Sequence, residues 1–378
     1  MNFLKSASFL ILLGSALSLN VENQYIVKLK NENLRNGDVL ENHLSWLNEV
    51  LAKEPNSLNS GVLHKYGDLG NSFSGYAVKA PASVIDEIKK NNQVEYVEAD
   101  GVATTLAETW GIDRVDQRAL PLDGAFNPSG NGEGITVYVI DTGITAGHPQ
   151  FEGRASEGAF FAESDAKDGN GHGTHCAGSV ASKDYGVAKK AKVVGVKVLS
   201  ASGSGSWSGV IAGINWVASN ATPGKSVASM SLGGGKNQAV NDAVDAAAAK
   251  NIPFAVAAGN SGGIDACNTS PAGATGAYTV AASDKNDAKA SFTDLGPCVE
   301  IVAPGVGITS TWLNNGVNTI SGTSMATPHV AGGFAALLSQ QSFSSAQDAY
   351  NALTAKSTPG KITGLPANTV NKLLYVGA

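Results

Sequence analysis

From Ala107 onward, short apolar runs alternate with longer helix-like segments. The runs predict strands at 136–140, 193–199, 227–232, 254–258, 279–282 and 299–303, and the segments between them predict helices at 174–181, 208–219, 239–250 and 324–338. Ile135-Thr136-Val137-Tyr138-Val139-Ile140 is apolar almost throughout, the pattern of a parallel strand covered on both faces. Strands and helices in alternation predict an α/β fold, a parallel doubly wound sheet, with ligands bound beyond the C-terminal ends of the strands.

The first part of the chain has another rhythm. Strands are predicted at 24–29, 61–66, 73–79 and 94–99, and helices at 39–52 and 82–90. The order β, α, β, β, α, β is that of a small α+β ferredoxin-like unit. Before it, residues 1–18 carry Lys5, an apolar stretch from Phe9 to Leu13 and small residues at Ala16 and Ser18, the layout of a secretory signal peptide. The expected division is therefore 1–18, 19–106 and 107–378. No segment reaches the length of uninterrupted apolar residues that a membrane span needs, so no membrane is expected and the mature protein should be soluble.

Composition narrows the class. The formal charge of −6 is small for 378 residues, and no run of lysine or arginine suggests a nucleic-acid or lipid surface. Charged residues make up 15% and there are 45 glycines, which suits a large turn-rich domain and opposes disorder. No internal repeat or low-complexity tract is apparent. Three cysteines in an exported chain imply one pair and one left over.

The candidate chemistry sits where runs end. The strand at 136–140 delivers Asp141, followed by Thr142-Gly143. Gly171-His172-Gly173-Thr174-His175 opens a helix with an imidazole at its start. Gly322-Thr323-Ser324-Met325-Ala326-Thr327 puts a serine on a tight turn at the positive end of an apolar helix, where an attacking oxygen and an oxyanion are both favoured. Hydroxyl, imidazole and carboxylate are the three roles of nucleophilic catalysis at serine. Pro253 to Ala258 reads as a further strand that presents Asn260 from Gly259-Asn260-Ser261-Gly262-Gly263. Glycines beside strand ends, at Ser202-Gly203-Ser204-Gly205 and at Met230-Ser231-Leu232-Gly233-Gly234, leave backbone groups free to pair with an extended peptide.

The order Asp141, His172, Ser324 and the flanking residues Val139-Ile140-Asp141-Thr142-Gly143, His172-Gly173-Thr174-His175-Cys176 and Gly322 to His329 closely resemble the subtilisin-like serine proteases, and Cys176 resembles the proteinase K branch. The resemblance implies a secreted serine endopeptidase, made as a zymogen and acting on polypeptides as a monomer. Its acyl-enzyme would form on Ser324, with His172 as general base and acid and Asp141 orienting it. Asn260 and the Ser324 N–H would hold the oxyanion. Gly203, Ser204, Gly205, Ser231, Leu232 and Thr323 would line the substrate groove, and Gly233, Gly234, Ala258 and Gly259 would wall the main specificity pocket. Small uncharged walls imply bulky apolar residues before the scissile bond. Asn71-Ser72-Phe73-Ser74-Gly75-Tyr76 and Val94-Glu95-Tyr96-Val97-Glu98 resemble the family's inhibitory propeptide, so residues 19–106 would be an intramolecular inhibitor removed between residues 103 and 107. Cys267 and Cys298 are expected to be bonded, as cysteines at matching positions are in relatives, leaving Cys176 as a buried free thiol. The chemistry requires no cofactor, but a structural calcium would match Glu300 with the carbonyls of Thr275 and Ala277, where the family's usual residue is Asp. The expected destination is extracellular or the lumen of a lytic compartment.

Other readings use the same residues. An aspartic protease would need a second Asp-Thr-Gly or Asp-Ser-Gly, and none occurs. His172 and His175 could ligate a metal, but no third ligand and water-activating acid stand at helical spacing beside them. A catalytically silent peptide binder would lack one of the four chemical positions, and all four are intact. Ser324 as a plain helix cap, the glycines as plain turns and residues 19–106 as a permanent domain stay open. His329 is expected in the core, and His43, His64 and His148 at the surface.

Overall fold

A computed structural model of the chain describes residues 20–30, 39–54, 60–66, 74–101 and 109–378. The expected signal peptide, the Asn71-Ser72-Phe73 part of the propeptide motif and the expected maturation segment lie outside these residues. The chain forms two compact units, Met1–Leu106 and Ala107–Ala378.

In the first unit the strands order as Gly61–Tyr66, Gly75–Lys79, Asn20–Leu29, Val94–Gly101, all antiparallel. Helices Val39–Lys53 and Ala82–Lys90 supply its core through Leu44, Leu47 and Leu51, and through Val84 and Ile85 with Ile88 one turn on, each set on one face. His43 belongs to that core and not to the surface. It is fully buried because its ring nitrogens meet Gln93 Oε1 and the Tyr76 hydroxyl, each at 3.0 Å. His64 is exposed, as expected.

The second unit is a nine-stranded sheet flanked by helices. Its order is Thr358–Pro359, Lys372–Leu373, Val299–Pro304, Ala277–Ser283, Phe254–Ala257, Ser226–Met230, Thr136–Asp141, Lys192–Lys197, Ala155–Phe160. Every pairing is parallel except the outermost, Thr358–Pro359 on Lys372–Leu373. Side chains of a strand point alternately to opposite faces, so each apolar run is divided between two cores. Val137 and Val139 enter one with Phe334 and Val180, while Tyr138 and Ile140 enter the other with Val210 and Ile214. Full burial of such a side chain contributes roughly 1.5–3 kcal/mol, which explains why the runs tolerate almost no polar residue.

The helix Thr323–Gln340 is buried at nearly every position from Thr323 to Leu338. Helices His172–Ala181, Trp207–Asn220 and Gln238–Ala248 complete the layers. Sequence reasoning did not anticipate the strand Ala155–Phe160, the hairpin Ile308–Thr311 with Val317–Ile320, or the helix Ala346–Lys356. His329 is buried, with Nδ1 to Met325 O at 2.8 Å. His148 is also buried, against expectation, because Nε2 meets Gly316 O at 3.0 Å while Nδ1 accepts from Gln150 N.

Candidate active site

Asp141 ends its strand fully buried. Its Oδ1 accepts from Thr142 N at 2.7 Å and from His172 Nδ1 at 2.8 Å. A carboxylate can only accept, so this bond places the proton on Nδ1 and leaves Nε2 as the lone-pair nitrogen. Burial would lower the His172 pKa. The Asp141 carboxylate opposes it, and the balance holds the imidazole well above its ordinary value. Burial pushes the Cys176 thiol up, which keeps it protonated and inert.

His172 can approach Asp141 because the next residue has no side chain. A Cβ on Gly173 would lie 2.1 Å from Gly143 O. His175, one turn along, faces away, with Nε2 near Ile308 O and Asn318 O at 3.0 and 3.1 Å. Burial lowers its pKa to about 4, so the two neighbouring histidines do not share a role.

Ser324 is the second residue of its helix, so its N–H has no partner within the helix. Pro328 lies four residues on and has no N–H to give to the Ser324 carbonyl. That carbonyl instead accepts from Ser231 Oγ at 2.8 Å and from Cys176 Sγ at 3.4 Å. The proline thereby ties the serine turn to the His172 helix and to the strand end at Met230. The Ser324 hydroxyl donates to Ser231 O at 3.1 Å.

The amide of Asn260 has one defined orientation. Its Oδ1 accepts from Thr323 N at 2.8 Å and from Thr323 Oγ1 at 3.0 Å, so Nδ2 is the end left to donate. Asp294, which sequence reasoning missed, holds this loop from behind. Its N donates to Gly259 O at 2.9 Å, and its Oδ1 accepts from the backbone N–H groups of Ser261, Gly263 and Ile264 at 3.1, 3.2 and 3.1 Å. Gly259 has φ +115°, and a Cβ there would meet Asp294 Oδ2 at 2.3 Å, so only glycine fits.

Two cavities of about 470 Å³ each meet at Ser324. The first is lined by His172, Gly203, Ser204, Gly205, Ser231, Leu232, Gly233 and Ser324, with Trp207 and Asn170 as unanticipated neighbours. The second is lined by Gly234, Ala258, Gly259, Asn260, Thr323 and Ser324, with Ile264 and Asp294 beside them. Cys267 and Cys298 are joined by a disulfide with Cα atoms 5.3 Å apart, and Cys176 is the buried free cysteine. Thr275, Ala277 and Glu300 lie elsewhere, around the starts of the adjacent strands Ala277–Ser283 and Val299–Pro304.

A hydroxyl, an imidazole and a buried carboxylate at the C-terminal edge of a parallel sheet are the working groups of a serine hydrolase. The chain belongs to the subtilase family: residues 132–372 match the Subtilase family, and residues 24–105 match Peptidase inhibitor I9. It is 44% identical over 375 residues to a cuticle-degrading serine protease of Arthrobotrys oligospora, covering 94% of this chain and 91% of that one. It is 45% identical over 317 residues to alkaline serine exoprotease A of Vibrio alginolyticus, covering 81% of this chain and 59% of that longer one. A crystal structure of a cold-adapted subtilisin-like serine proteinase superposes with a TM-score of 0.70 at 47% identity, over 72% of this chain and 99% of its own. The protein is thus a subtilisin-type serine endopeptidase carrying an N-terminal propeptide inhibitor domain.

Proposed function

We propose that the enzyme cleaves polypeptides through an acyl-enzyme on Ser324. His172 Nε2 takes the hydroxyl proton as the oxygen attacks and returns it to the leaving amine, while Asp141 holds the imidazolium. Asn260 Nδ2 and the Ser324 N–H receive the oxyanion. Water then attacks the ester by the same proton route in reverse. The observation that carries this reading is the 2.8 Å contact of Asp141 with His172 Nδ1, on a ring that shares a cavity with Ser324.

An extended peptide would pair with the backbone of Gly203-Ser204-Gly205 on one side and of Ser231-Leu232-Gly233 on the other. The cavity bounded by Gly233, Gly234, Ala258 and Gly259 would take a bulky apolar side chain before the scissile bond. Residues 19–106 would act as inhibitor and folding template until cleavage between residues 103 and 107, with export directed by residues 1–18. Among the described residues no helix is long and apolar enough to cross a membrane.

Glu300, with the carbonyls of Thr275 and Ala277, would hold a calcium ion whose contribution is structural. Burial raises the Glu300 pKa to about 7 against the pull of Lys372, and its buried Oε2 has no hydrogen-bond partner among the described residues. Such a carboxylate suits a hard cation beside it.

Ser324→Ala is expected to abolish hydrolysis of a long peptide while the circular dichroism of the folded protein is unchanged. Unchanged turnover would remove the mechanism.

A further inference from the structure

We propose that Asp168 is a positioning residue for the reaction: its carboxylate clamps the turn after Asp141 to the first turn of the His172 helix and so fixes the contact between those two side chains. This rests on reading Asp141, His172 and Ser324 as the reacting groups. Asp168 is buried at 9% exposure, in the segment just before the helix, and touches neither cavity.

Its two oxygens receive five hydrogen bonds. Oδ1 accepts from Thr142 Oγ1, Asn170 N and Gly171 N, each at 2.9 Å. Oδ2 accepts from Thr174 N at 2.9 Å and from Thr174 Oγ1 at 2.6 Å. Two of these donors are on Thr174 in the first turn of the helix, two are the amides of the residues just before it, and one is on the residue that follows Asp141. Gly171, at the cap position, has no side chain to satisfy the first amides, so they are met from outside the helix: His172 N by Asn170 Oδ1, Gly173 N by Thr142 Oγ1 and Thr174 N by Asp168 Oδ2.

Thr142 is the shared link. Its N–H goes to Asp141 Oδ1 at 2.7 Å, its hydroxyl donates to Asp168, and that same oxygen accepts from Gly173 N at 2.9 Å. Asp141 and His172 are therefore connected by one direct bond and by a second path running through Thr142, Asp168 and the helix start. At Gly173 an added Cβ would lie 2.1 Å from Gly143 O, so the helix start and the turn after Asp141 run close together, and loosening the clamp shifts the imidazole relative to the carboxylate. An amide cannot replace the carboxylate cleanly. An asparagine that keeps its oxygen toward Thr142 turns its NH₂ toward Thr174 N–H, donor against donor.

The test is Asp168→Asn and Thr142→Val in the full chain, matured, with kcat and KM measured per mole of protein shown to be folded by near-ultraviolet circular dichroism. Misplacement of reacting groups by about 1 Å costs on the order of 100-fold. Each variant is expected to lose about 10- to 100-fold in kcat with KM within about 2-fold, and the double variant to lose less than the product of the two. A merely structural role would lower the melting temperature and leave kcat of the folded protein at the wild-type value, which would overturn the proposal. If Asp168→Asn does not fold, Thr142→Val decides it by the same criterion. Ser324→Ala run alongside separates the two claims: full turnover there would sink the reading of the reacting groups, whereas a silent Ser324→Ala beside fully active clamp variants would sink only the clamp.

Discussion

Ser324, His172 and Asp141 are ordinary side chains made unusual by what surrounds each one. The serine owes its setting to an absent hydrogen bond, because Pro328 frees the Ser324 carbonyl for Ser231 and Cys176. The histidine owes its basicity to Asp141 outweighing burial. In the proposed mechanism His172 must be neutral to take a proton, so kcat/KM is expected to rise with pH through its pKa. Because that pKa is held above the ordinary imidazole value of 6.5, the acid limb of the profile is expected on the alkaline side of 6.5. A pH–rate profile of kcat/KM checks this, and a midpoint at or below 6.5 would contradict it. These residues were legible in the sequence because each ends an apolar run or opens a glycine-marked turn. Asp168 and Asp294 were not, since their partners, backbone amides and, for Asp168, the Thr142 and Thr174 hydroxyls, are brought to them only by folding, and no spacing announces them. His43 and His148 were misplaced for a related reason. A lone histidine carries no sign of the acceptor or hydroxyl that will let it be buried.

Elements were legible in proportion to their burial. The central strands are apolar on both faces and could hardly be read otherwise, whereas Ala155–Phe160 lies at the edge of the sheet with Ser156, Glu157 and Gly158 exposed, so it leaves no apolar run. The short outer strands Thr358–Pro359 and Lys372–Leu373 are two residues each and fall below what periodicity can register. The proposed calcium belongs to this scale, since it would join two neighbouring strand starts. Without a cation, native Glu300 keeps a proton that the unfolded chain loses. Stability should therefore fall as pH rises from the ordinary carboxylate value of 4.5 through about 7. Calcium reverses that balance, and a ligand at a hundred times its Kd adds about 2.7 kcal/mol. Melting at neutral pH is expected to occur at a lower temperature in chelator than in calcium, and Glu300→Gln is expected to lose most of that difference. Equal melting temperatures in chelator and calcium for the wild type would exclude the site.

At the scale of the molecule, the two units answer different needs. A parallel sheet assembled from strands as distant as Thr136–Asp141 and Lys372–Leu373 depends on long-range contacts, which slow folding and leave surface unpaired meanwhile. The first unit joins only four strands and two helices, so it has far less to assemble, which is the physical case for the proposed N-terminal template. The same long-range assembly brings the aspartate, the histidine and the serine to one edge of the sheet from far apart in the chain. Covalent labelling tests that convergence most directly. The matured enzyme is treated with a sulfonyl fluoride or a phosphonate ester, and the modified residue is located by peptide mass mapping. The account predicts one adduct per molecule, on Ser324, with peptide hydrolysis lost in step and no labelling once His172 is replaced by alanine. An adduct confined to another residue, or full hydrolysis by a protein labelled on Ser324, would contradict it.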